Sequence, residues 1–274
     1  MSSFNSTFKK YWTLALFVLG CLLLIVNLYG LTQEIRPSSF SPAELRFKNE
    51  STLSFEDSYS KIKRENSETD LEYALRINEL VSDSLIHVQW NKINTHTSHQ
   101  LIPVWENYIL FLMGKFSNIP EYERYHFANY KRSLKRGIGV CGDASMVLSQ
   151  LLDKHGIENK IISFPKHVVV KTDINGAPWI LDPDFGVAIN SPIYDLKDLK
   201  DDVELAYLNK GYSSGDLTSL DDAFKDDFEE WNGVSHFITN KYYFEIVSYW
   251  AKWLIPIFLI LPFSLMKLKS RQYL

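Results

Sequence analysis

Cysteine is nearly missing from this 274-residue chain: Cys21 and Cys141 are the whole complement. Two such distant thiols exclude the disulfide framework that staples small secreted domains. A basic surplus is also lacking, since 29 Lys and Arg stand against 33 Asp and Glu for a net charge of −4, so the electrostatic footprint of nucleic-acid binding is absent and no nucleic-acid partner is expected. Glycine (12) and proline (10) are sparse, and 46% of residues are hydrophobic, which is incompatible with a disordered or fibrous chain. There is no internal repeat or low-complexity block. Stability must come from a core.

The apolar residues gather at both ends. No charge interrupts Tyr11 to Leu31, and 21 residues at about 1.5 Å each match a hydrocarbon layer of roughly 30 Å. Residues 11–31 are therefore read as an uncleaved transmembrane helix, because no small-residue cleavage site follows Leu31. Val18-Leu19-Gly20-Cys21 only faintly resembles a lipoprotein box. Residues 246–266 are apolar except for Ser248, Lys252 and Ser264, and read as a second span, with Trp250 and Trp253 suited to a membrane interface from which Lys252 can snorkel. Basic residues flank both spans: Lys9 and Lys10 before the first, Lys267, Lys269 and Arg271 after the second. The positive-inside rule then puts residues 1–10 and 267–274 in the cytoplasm and residues 32–245 outside it, in a plasma (inner) membrane protein.

Within that middle, Ser67-Glu-Thr-Asp70 fits a capping box ahead of a helix carrying Leu71, Ala74, Leu75, Val81 and Leu85. Further helices are expected from Pro103 through Phe116 and from Pro120 to Arg136. After Gly156 the pattern turns to β-rich runs at 160–164, 167–172 and 179–181, broken by Asn175-Gly176. Helices followed by strands predict an α+β domain, its core at about 67–190, with helices on one side of a small antiparallel sheet. Beyond it lie acidic runs, Asp195 to Glu204 and Asp221 to Glu230, read as solvated helix faces with Leu196, Leu199, Val203 and Tyr207 as the inward stripe. No twelve-position calcium loop fits them.

The chemistry concentrates in Arg136-Gly-Ile-Gly-Val-Cys-Gly-Asp-Ala-Ser145. Ala144, Val147, Leu148, Leu151 and Leu152 form one helical stripe that Gly156 ends, and three residues before Ala144 stands Cys141, at the helix tip where the dipole favours a thiolate. Gly137, Gly139 and Gly142 are expected to clear side chains from around the sulfur. A thiol nucleophile needs a base and a group to orient it. If Asn175 and Gly176 are the central turn residues, paired positions sum to 351 and His167 is a diagonal neighbour of Asp182 on one face; centred one residue earlier, the two are directly opposite.

Gly-x-Cys-Gly-Asp-Ala, then Leu-Leu-x-x-x-Gly-Ile, a His at a strand start and Trp-Ile-Leu-Asp-Pro resemble the transglutaminase-like superfamily of papain-like thiol enzymes, over Gly137 to Gly186. The resemblance implies a papain-like core with Cys141 as nucleophile, His167 as general base and acid, and Asp182 orienting the imidazole. It implies a peptidase, deamidase or acyltransferase working without a cofactor on envelope proteins or peptides. Members often carry an aromatic soon after the histidine; this chain has Val168, Val169 and Val170. Trp90, Trp105 and Tyr125 are candidates for the second oxyanion donor beside the Cys141 N–H. The competing reading is a catalytically silent scaffold of an envelope assembly with a protein partner. His96-Thr-Ser-His99 has two His at i, i+3 but no further ligand pair, and no metal centre is expected.

Overall fold

A computed structural model describes residues 2–47, 52–213, 217, 223–225 and 227–271. Asp221, Asp222 and Asp226 lie outside the described residues, as do the side chains of Lys9, Lys10, Lys269 and Arg271. The chain divides into two compact units, one of residues 1–35, 99–125 and 244–274, the other of residues 36–98 and 126–243.

In the first unit, α1 (Ser2–Gly30) and most of the C-terminal helix (Thr239–Arg271) are each long and apolar enough to cross a membrane. Their outward faces carry exposed Trp12, Ile25, Val247, Trp250 and Phe258, as lipid-facing helices do. They approach closely at Gly20, where an added Cβ would lie 2.9 Å from Ile260 Cγ1 and from the Pro256 carbonyl oxygen. Small residues at such a crossing let backbones pack when no hydrophobic force distinguishes helix from lipid. Phe17 and Phe263 meet nearby, ring centroids 4.7 Å apart. The helix α4 (Val104–Phe116) belongs here as well, starting as expected at Pro103. Asn107 breaks its helical dihedrals and uses Oδ1 to accept from the Ile109 and Leu110 N–H groups. Lys252 does not snorkel: it is buried, its ammonium donating to the Glu106 carbonyl and flanked by the Tyr249 and Trp253 rings. A polar backbone acceptor within the unit outcompetes the route to an aqueous surface.

The second unit is the α+β body. Among the described residues, its helices of seven residues or more are α2 (Phe55–Lys61), α3 (Asp70–Ser84), α6 (Tyr130–Arg136), α7 (Cys141–Lys154) and α8 (Lys200–Asn209); α5 (Pro120–Glu123) is in the first unit. The capping box of α3 sits two residues later than expected, with Thr69 and Glu72 as the reciprocal pair. The single helix expected over 120–136 is two: Arg124 leaves helical space, and the Asn129 side chain accepts from the Lys131 N–H to start α6 afresh. An internal Asn offers the backbone a competing hydrogen bond, and here it wins.

Strands β3 (Asn159–Ser163), β4 (Val168–Ile174) and β5 (Ala177–Asp182) occupy the expected runs. With β6 (Val187–Ile189) and β7 (Glu229–Trp231) they form a fully antiparallel sheet in the order β6-β5-β4-β3-β7. The β4–β5 turn has positive φ at Asn175 (57°) and Gly176 (78°), and Val170 pairs with Leu181, which is the 351 register. One face, with Val170, Ile174 and Leu181, packs on α3 and α7. The other is not open: Ile162, Val169 and Ile180 lie under Ile193, Leu196, Val203, Tyr207 and Phe224. The segment from Ile193 to Tyr207 therefore lays its apolar stripe across the sheet with Asp195, Asp198, Asp201 and Asp202 exposed, whereas Glu229 and Glu230 stand on a strand and not on the expected helix face. A short parallel pair, β1 (Ile86–His87) with β2 (Ile138–Gly139), leads into α7.

Candidate active site

Cys141 is the first residue of α7, where the helix leaves backbone N–H groups unsatisfied and a partial positive charge. What fixes that tip is Asp143, fully buried, whose Oδ2 accepts from the Val140 N–H at 3.1 Å and from His126 Nδ1 at 2.8 Å. Burial pushes the Asp143 carboxyl up, but His126, Arg136 and the Val140 N–H outweigh it and hold it below the usual carboxylate range. Gly139 is required here, since a Cβ would fall 2.9 Å from Asp143 Cβ. Gly137 has φ +67° at the end of α6, where a Cβ would also strike the Arg36 guanidinium. At Gly142 a Cβ would meet nothing within 4 Å beyond the adjoining residues, so that side of the helix tip is open. At its far end α7 closes in a Schellman motif, with Ile157 N–H on the Leu152 carbonyl, Gly156 N–H on that of Asp153, and Gly156 at φ +72°.

His167 lies one residue before β4 and Asp182 ends β5, so the hairpin brings them onto one face. His167 Nε2 donates to Asp182 Oδ2 at 2.6 Å. A ring nitrogen of His167 and the Cys141 sulfur lie within 4.8 Å of each other. With Nε2 engaged, Nδ1 is the nitrogen left to face the thiol. The three predicted residues are thus gathered, with Cys141 half-buried and His167 and Asp182 buried. Burial opposes a charge on His167, yet the Asp182 carboxylate and then the Cys141 sulfur prevail, and its pKa is raised well above 6.5.

Four further residues complete the site. Tyr207, on α8, donates its hydroxyl to Asp182 Oδ2 at 2.6 Å, and the Asp184 N–H donates to Asp182 Oδ1 at 3.0 Å, so the acid is held on both oxygens. Burial and the neighbouring Asp182 charge keep the Tyr207 hydroxyl well above its ordinary pKa of 10, leaving it a neutral donor. Asp184 is fully buried and its carboxylate comes within 4.8 Å of both the Cys141 sulfur and a His167 nitrogen. Arg46 Nη1 holds its Oδ2 at 2.7 Å, and His87 Nε2 stands 3.4 Å from Oδ1. Burial raises the Asp184 carboxyl, but Arg46, His87 and His167 carry it below the usual range. His87 pairs with Gly139 across β1–β2, which delivers it beside Asp184.

Some of this was visible in the chain. Extended by one step, the 351 register puts position 184 opposite His167, so Asp184 had a signal in Asp182-Pro183-Asp184. Arg46 and His87, nearly a hundred and more than fifty residues upstream of Cys141, had none. Two aromatics distant in sequence from Val168–Val170, Phe185 and Phe224, stand edge-on to the imidazole at 5.8 and 6.0 Å. Phe224 also lines a cavity of about 290 Å³ with Phe164, Ile193, Tyr194 and Phe228. Of the oxyanion candidates, Trp90 stacks on His126 at 4.2 Å, while Trp105 and Tyr125 belong to the first unit. His99 of the His96/His99 pair gives Nδ1 to the Ile35 carbonyl.

No family model, curated protein or solved structure matches the chain.

Proposed function

We propose that the chain is a membrane-anchored thiol enzyme, of the transglutaminase-like, papain-like kind, that opens amide bonds of envelope proteins or peptides on the extracytoplasmic side. The observation that carries this reading is the Cys141–His167–Asp182 series, with the sulfur on a helix tip and the imidazole fixed by a 2.6 Å bond to the acid. A buried core cysteine has no use for such a chain of partners.

In this reading His167 Nδ1 takes the thiol proton and the sulfur attacks the carbonyl carbon. The oxyanion is met by the Cys141 N–H at the α7 tip. Collapse breaks the C–N bond, the imidazolium gives its proton to the departing nitrogen, and a thioester remains. Water, or a second amine, then attacks the thioester while His167 takes its proton; the product leaves and the thiol is restored. Asp182 keeps the ring oriented throughout, as Tyr207 and the Asp184 N–H keep Asp182. The aromatic cavity beside Phe224 suits an apolar side chain next to the scissile bond.

The test is alkylation of the full chain in detergent by iodoacetamide, in a Cys21→Ser background, followed by mass spectrometry. Cys141 should react faster at neutral pH than in His167→Ala by tenfold or more, since general-base assistance is worth about 10²–10⁴. Equal rates would remove the activated thiolate and the enzyme reading with it.

A further inference from the structure

Catalysis through Cys141, His167 and Asp182 leaves the Asp184 carboxylate with nothing to do at the reacting atoms, although it comes within 4.8 Å of both the sulfur and the imidazole. One donor atom each from Cys141, His167 and Asp184 fall within 4.8 Å of one another. Thiolate, imidazole and carboxylate together suit zinc and its neighbours rather than calcium or magnesium. Zinc bonds of about 2.3 Å to sulfur and 2.0–2.1 Å to nitrogen or oxygen set tetrahedral ligand separations at about 3.3–3.6 Å. A bound ion would draw the three donors in from separations of up to 4.8 Å, with Cys141 half-buried rather than sealed in the core.

The outer contacts are also those of a metal site, where ligating histidines and carboxylates are themselves hydrogen-bonded. His167 gives Nε2 to Asp182, which fixes the ring with Nδ1 inward. Arg46 holds Asp184 Oδ2 at 2.7 Å, while Oδ1 is buried, accepts no hydrogen bond and faces His87 Nε2 at 3.4 Å. We propose that this pocket binds one zinc-class ion on Cys141 Sγ, His167 Nδ1 and Asp184 Oδ1, with water in the fourth position, and that the ion reversibly blocks the thiol. On binding, the S–H bond gives way to a metal–sulfur bond and the proton leaves to solvent, with no change of oxidation state. The blocking rests on the thiol-enzyme reading; the ligation does not.

The experiment titrates zinc into the full chain in detergent, Cys21→Ser background, and follows iodoacetamide labelling of Cys141, each variant normalised to its own zinc-free rate. Protection should saturate at one equivalent, with magnesium inert, and Asp184→Asn should need at least about tenfold more zinc, the lower end of what a lost outer contact costs. Equal protection of Asp184→Asn, or none in the wild type, overturns the site. Cobalt(II) supplies a readout independent of that variant's folding: a thiolate-to-metal charge-transfer band in the wild type that Cys141→Ser lacks, its absence from the wild type counting against the site. Labelling that ignores His167 while zinc still protects would end the enzyme reading and leave the metal site standing.

Discussion

Tyr207→Phe removes one oxygen atom from the site and little else. The ring that remains keeps its edge contact with Phe185, 5.2 Å between centroids, so no cavity opens. What is lost is a 2.6 Å hydrogen bond from a neutral hydroxyl to an acid that is almost fully buried. Stranding a buried charge costs about 3–5 kcal/mol, but Asp182 is not stranded, because His167 and the Asp184 N–H still hold its two oxygens. The cost is that of one bond to a charged group, about 1.5–3 kcal/mol. For a folding unit of this size each kcal/mol moves the melting temperature by roughly 2–4 °C, so the shift should be about 3–12 °C downward. The assay is thermal unfolding of the full chain in detergent, with Tyr194→Phe as the control at a residue 67% exposed and far less costly to change. A shift for Tyr207→Phe no larger than the control's would mean that the hydroxyl is not bonded to Asp182 and that α8 does not brace the acid.

Two other outcomes follow from the same contacts. The native pKa of His167 is raised above 6.5, against burial, chiefly by Asp182, so its stabilising contribution is fully present below pH 6.5 and drains away as pH rises through the native value. The melting temperature of the wild type should decline over that window by an amount that His167→Gln does not show; parallel curves would contradict it. In the apolar helix pair, Cys substituted for Phe17 and Phe263 should cross-link, and Gly20→Leu should abolish that cross-link because its Cβ has no room beside Ile260 and Pro256.

The parts of the site legible in the chain are those governed by short-range rules. A 3.6-residue stripe fixes which side of α7 is buried and therefore where Cys141 stands, and two turn residues with positive φ fix the register that unites His167 with Asp182. Lone elements set by competing local bonds were harder. Thr69, not Ser67, starts α3, because Glu72 reaches back to it, and Asn129 splits what periodicity joins into one helix. Contacts made through long loops left no trace. Arg46 meets Asp184 across 138 positions, and nothing about an arginine between Leu45 and Phe47 announces it. Tyr207 was readable as the inward side of α8 but not as a donor, since periodicity reports burial and not what a buried hydroxyl bonds to. The second face of the sheet was missed because the stripe of Leu196, Leu199, Val203 and Tyr207 tells which side of that segment turns inward but not which surface it covers.

Tyr207 also sets an order of events during synthesis. When the ribosome has delivered everything through β6, the thiol, the imidazole and the acid all exist, yet the hydroxyl that bolts the acid is still to be made. Only after the strap beyond residue 190 has crossed the sheet does Asp182 gain that last fastening, shortly before synthesis reaches Thr239, where the C-terminal apolar helix begins.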